Sequence, residues 1–86
     1  MKAVTISKNG GPEVLELKDI KLDDPKSGEV LINNKAIGLN YIDTYHRSGL
    51  YHVELPSIIG IEGAGIIEKI GPDVKDFSIG DKVAYA

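Results

Sequence analysis

The stretch Gly60-Ile61-Glu62-Gly63-Ala64-Gly65-Ile66-Ile67-Glu68-Lys69-Ile70 decides between two folds for this chain. Closely spaced glycines beside an apolar run are what a phosphate-cradling turn needs, where a strand ends in a glycine loop and a helix opens. Here no glycine occupies the place of Glu62, and the residues that follow are β-branched. Such side chains lose rotamer freedom in a helix and pack well on a pleated surface, so 66–70 reads as a strand. The glycines lead into that strand, and the stretch is not a phosphate loop.

Working outward, Val4 and Ile6 alternate with Thr5 and Ser7, Asn9-Gly10-Gly11-Pro12 supplies a turn, and a second alternating run covers 14–22. Residues 23–28 form an exposed loop, and 29–39 give a third β-rich run in which Gly38 marks a bend or bulge. Downstream, Gly71-Pro72-Asp73 is a turn, 74–79 a connector, and Gly80-Asp81 turns the chain into a last strand over 82–86. One helix is expected over 41–47. Asn40 stands at its N-cap, Asp43 in its first turn, and Gly49 offers a left-handed stop after Ser48. With strands, one helix and more strands, and no repeated strand–helix alternation, the fold class is mostly β, a partly open barrel-like module with one short helix.

Bulk properties bound the function. An 86-residue chain makes at most one domain, and at this length only about 60–65% of the unfolded surface is buried, so independent stability is marginal. A net charge of −3 with the signs interspersed leaves no basic stripe for a phosphate backbone or an anionic membrane, so neither is an expected partner. The absence of cysteine excludes disulfides, cysteine-ligated zinc and a thiolate nucleophile. The N-terminal MKAVTISKNGG lacks the apolar core of a signal peptide, which points to the cytoplasm.

The element Gly60-Ile61-Glu62-Gly63-Ala64-Gly65 and the later Gly80-Asp81-Lys82-Val83 resemble the N-terminal GroES-like domain of the medium-chain dehydrogenase/reductase superfamily. Within it, Gly10-Gly11-Pro12-Glu13-Val14-Leu15 and Asn40-Tyr41-Ile42-Asp43-Thr44-Tyr45-His46-Arg47-Ser48-Gly49-Leu50-Tyr51 are similar to quinone oxidoreductases of the zeta-crystallin type. The resemblance implies that residues 1–86 are the N-terminal part of a catalytic domain whose Rossmann cofactor domain lies elsewhere, and that this chain alone is inactive. It further implies transfer of reducing equivalents from NADPH to a quinone or similar small electrophile, in a homodimeric full-length enzyme.

Zinc alcohol dehydrogenases of that superfamily carry a Cys and a His ligand where this sequence has Asn40 and Ile61. An amide and an isoleucine cannot replace a thiolate and an imidazole, so no metal site and no zinc are expected. Reduction of a flat electrophile requires only positioning, exclusion of water and donors where negative charge develops. By the resemblance, Asn40, Asp43 and Tyr51 face the reacting groups, and Tyr41, Ile42, Asp43, Thr44 and Tyr45 touch the cofactor.

Plainer roles compete for the same residues. Asn40 serves equally well as a helix cap. Asp43, favoured in its ionised form by the helix dipole, is better suited to orienting Asn40 or a backbone amide than to proton transfer. At least one of Tyr41 and Tyr45, at helical spacing with Ile42, is expected to be mainly structural. His46 and His52 belong to no metal pattern, Glu62 is expected to pair or cap within the folded core, and Lys69, Lys75 and Lys82 are expected at the surface. Two other functions remain open, a zinc-free reductase of an enal or enoyl double bond and a stand-alone GroES-like binding module.

Overall fold

The computed structural model describes residues 1–86. Six strands pair as two three-stranded sheets, neither closed on itself, with one α-helix between strands in the chain order, so the mostly β class holds. The chain divides into two compact units, residues 1–22 with 39–61 and residues 23–38 with 62–86.

In the first unit, β1 (Lys2–Ile6) is the central strand, antiparallel to β2 (Glu16–Asp19) on one side and to the two-residue β4 (Ser57–Ile58) on the other. β2 is shorter than the alternation over 14–22 predicts. Pro12, whose fixed φ suits the first position of a helical turn, opens a 3-10 turn (Pro12–Val14) that draws Val14 inward, so the strand begins only at Glu16. The side chains of Ile6, Val14 and Thr5 are buried there. The unit also holds α1 (Tyr41–Ser48), one residue longer than the expected 41–47. Gly49 ends it at φ 90°, a left-handed conformation that costs a residue with a Cβ but not glycine.

In the second unit β5 (Gly63–Ile70) lies between β3 (Val30–Ala36) and β6 (Lys82–Tyr85), both antiparallel to it. The glycines read as a lead-in are thus partly inside the strand. At Gly65 the reason is close approach, because a Cβ there would collide with the Asn33 carbonyl of β3. Gly63, Gly65 and Ile67 form the inward face of β5, and the register against β3 slips between Asn34 and Ala36, ahead of the bend expected at Gly38. Lys69 forms an exposed ion pair with Asp24 at 2.8 Å, while Glu62, expected in the core, is exposed with its carboxylate over Gly38.

Candidate functional site

The segment 40–51 is built around α1, and its sequence explains its geometry. Asn40 stands in extended conformation (φ −127°, ψ 159°) and forms a capping box with Asp43, whose Oδ2 accepts the Asn40 N–H at 2.9 Å. The carboxylate thereby satisfies a backbone donor just ahead of the helix and offers negative charge to its positive end. Asp43 is only 3% exposed, and its second oxygen, Oδ1, is buried without a hydrogen-bond partner. Of the roles open to Asp43, the geometry thus provides the orienting one directly.

The tyrosines divide. Tyr41 presents its ring to solvent at 83% exposure, whereas Tyr45 is half-buried and meets the ring of Tyr51 edge to face, 5.4 Å between centroids at 80°. This is the favoured arrangement of two quadrupolar rings. The Tyr45 carbonyl collects the return of the chain, accepting from Gly49 N at 3.1 Å, Tyr51 N at 3.3 Å and Ser48 Oγ at 3.3 Å. Thr44 Oγ1 donates to the Tyr41 carbonyl at 2.6 Å, which leaves its lone pairs as acceptors, and Ile42 is half-buried. The helix therefore gathers Asn40, Asp43, Tyr45 and Tyr51 into one unit and displays Tyr41 and half of Tyr51 outward.

The histidines carry no comparable constellation. His52 Nε2 lies 3.5 Å from Glu54 Oε1 at the surface, and no group of three or more His, Cys, Asp or Glu side chains converges in a way that would hold a metal ion. For a dinucleotide, residues 41–45 offer open tyrosine surface and a hydroxyl but no lysine or arginine to meet phosphates.

Sequence reasoning missed what holds the far end of the helix. Asn9 Nδ2 donates to the carbonyls of His46 at 3.2 Å and Arg47 at 3.3 Å, Gly10 N donates to the Arg47 carbonyl at 3.0 Å, and Arg47 Nε donates back to the Gly10 carbonyl at 3.2 Å. The turn composition at 9–12 was visible in the sequence; its partner, 37 residues away, had no local signal.

The alcohol dehydrogenase GroES-like domain model matches residues 26–86. The quinone oxidoreductase of Pseudomonas aeruginosa is 52% identical over 86 residues, covering 99% of this chain and 26% of that protein. The crystal structure of Escherichia coli quinone oxidoreductase complexed with NADPH superposes with a TM-score of 0.97 at 48% identity, over 100% of this chain and 27% of that one. A 2-haloacrylate reductase from a Burkholderia species is 41% identical over 85 residues, 94% of this chain and 26% of that protein. The chain thus spans about a quarter of the length of the curated relatives it matches. No helix is long and apolar enough to cross a membrane. On the domain match and these identities, the chain belongs to the alcohol dehydrogenase GroES-like domain family, in its quinone oxidoreductase branch of the medium-chain dehydrogenase/reductase superfamily.

Proposed function

We propose that residues 1–86 are the N-terminal part of the catalytic domain of a cytoplasmic, homodimeric NADPH:quinone oxidoreductase that works without zinc, its Rossmann domain lying outside this chain. The observation that carries the proposal is the arrangement of 40–51, where a capping box holds Asn40 and Asp43 and an edge-to-face pair holds Tyr45 and Tyr51. Relatives named quinone oxidoreductase, one of them solved with NADPH, support it.

On this reading NADPH, when bound, supplies the reducing equivalents. The open surfaces of Tyr41, Ile42, Thr44 and Tyr45 pack against its nicotinamide end and exclude water there. Asn40 and the Tyr51 hydroxyl offer donors toward the oxygen of the flat electrophile on which charge develops. Asp43 acts through the backbone, fixing where Asn40 begins the helix. Asn40 and Ile61, in place of a thiolate and an imidazole, support the exclusion of zinc.

The similarity to a 2-haloacrylate reductase favours a second reading, in which the electrophile is an activated carbon–carbon double bond. One experiment separates the two. NADPH oxidation by the full-length protein is followed with a simple quinone and with a 2-haloacrylate, each with metal chelator. Chelator-resistant turnover on the quinone supports the proposal; turnover on the acrylate alone transfers it to the second reading, and loss of activity to chelator refutes the zinc-free chemistry.

A further inference from the structure

The turn that follows β1 has no part in the proposed chemistry, yet its side chain meets the helix that carries the site. The C-terminal turn of a helix leaves carbonyls without intrahelical donors, and two of them, on His46 and Arg47, are taken by Asn9 Nδ2. Because both acceptors are carbonyls, only the NH2 end of the Asn9 amide can face them. Asn9 also lies directly against Gly49. A Cβ on that residue would stand 3.1 Å from Asn9 Cγ and 3.2 Å from Oδ1. Gly49 is the left-handed residue at which the chain leaves the helix and swings back, so that Tyr51 N reaches the Tyr45 carbonyl and the two rings meet.

We propose that Asn9 is a positioning residue of the site: it clamps the helix C-terminus and the Gly49 turn together, and so fixes the Tyr45–Tyr51 pair. The inference rests on the proposed function in placing Tyr45 against the nicotinamide end of the cofactor and Tyr51 at the electrophile. Gly10 contributes through its backbone alone, donating to the Arg47 carbonyl and accepting from Arg47 Nε. The side-chain specificity of the clamp therefore resides in Asn9. A carboxylate at this position would oppose two carbonyls and the negative end of the helix, whereas alanine would merely leave the carbonyls to water.

The test uses Asn9→Ala and Asn9→Asp in the full-length protein, assayed well below their melting temperatures with NADPH and a simple quinone, alongside tyrosine-ring NMR in which Tyr45 and Tyr51 are assigned by Tyr→Phe variants. A displaced positioning contact is expected to lower kcat/KM about 3- to 10-fold in Asn9→Ala and further in Asn9→Asp, mainly through KM for the quinone. Both variants should also shift the Tyr45 and Tyr51 ring signals. Ring signals and kcat/KM that match the wild type would overturn the inference, even if both variants melt earlier, because a purely structural cap moves stability alone. Should the wild type prove inactive on quinones, the functional reading fails, while unchanged or shifted ring signals still decide whether Asn9 sets the pair.

Discussion

Replacing Asp43 separates its two conceivable roles, because the carboxylate is buried and one of its oxygens is already committed to Asn40 N–H. Removing a helix-capping side chain costs about 0.5–2 kcal/mol, and burial places Asp43→Ala in the upper half of that range, about 1–2 kcal/mol. Asp43→Asn retains an acceptor for the same N–H but loses the favourable charge at the helix N-terminus, about 0.3–1 kcal/mol, and puts its NH2 where Oδ1 is buried without a partner. Urea unfolding of the full-length protein should rank them wild type, then Asn, then Ala. Turnover should follow the same order if Asp43 acts by positioning, with a loss of less than about 10-fold for Asn and about 10- to 100-fold for Ala. An amide cannot accept a proton at this pH, so proton transfer by Asp43 predicts losses of about 10²- to 10⁴-fold for both. Equal, large losses in the two variants, with stability unchanged in Asp43→Asn, would refute the positioning argument.

Asn40→Ala in the full-length protein should lower turnover about 10- to 100-fold, through removal of a donor to the developing charge, and also destabilise by about 0.5–2 kcal/mol, because the side chain caps α1; a lower melting temperature with unchanged turnover would leave Asn40 as a cap alone. Gly65→Ala should destabilise by about 1–3 kcal/mol, since the added Cβ meets the Asn33 backbone of β3 and no side chain there can yield; chemical denaturation measures it. The Lys69 ammonium, hydrogen-bonded to Asp24 and adding its charge, holds the Asp24 carboxyl below its usual range, and Asp24 in turn raises Lys69. The pair contributes above the ordinary Asp range until pH rises through the raised Lys69 value, and fades as pH falls through the lowered Asp24 value. Because both groups are exposed, Lys69→Met should leave the melting temperature within about 2 °C of wild type at physiological salt, with any shift vanishing as salt is raised.

Most of the fold was legible because its signals are local. The N-cap asparagine, the first-turn aspartate and the stop at Gly49 locate α1 to within a residue, and the β-branched run after Gly65 marks β5. What stayed hidden depends on distant partners. β4 is two residues long and exists only because β1 offers it an edge, and the glycines within β5 are explained by the closeness of β3. That at least one of Tyr41 and Tyr45 would be structural was legible, but which one was not, since they share a helical spacing and only the return of Tyr51 makes Tyr45 the packing residue. Asn9 is the clearest instance, a turn residue by composition whose function is set 37 residues later.

The same commitments bear on substrate choice under the proposed function. The one carboxylate of the segment is turned inward onto backbone, and Thr44 spends its proton on the Tyr41 carbonyl. What remains outward is aromatic surface with few donors, Tyr41 almost wholly and Tyr51 at 52% exposure. A surface of that kind rewards flatness and an electron-poor π-system, and it recognises little of a substituent pattern, because apolar contact discriminates weakly whereas a buried unpaired polar group discriminates strongly. On that argument the choice between a quinone and an activated alkene is made by groups outside 40–51, and grafting this segment onto the 2-haloacrylate reductase should leave that enzyme's preference between the two unchanged. A graft that carried quinone preference with it would place the discriminating contact within 40–51, with the Tyr51 hydroxyl as the first residue to test.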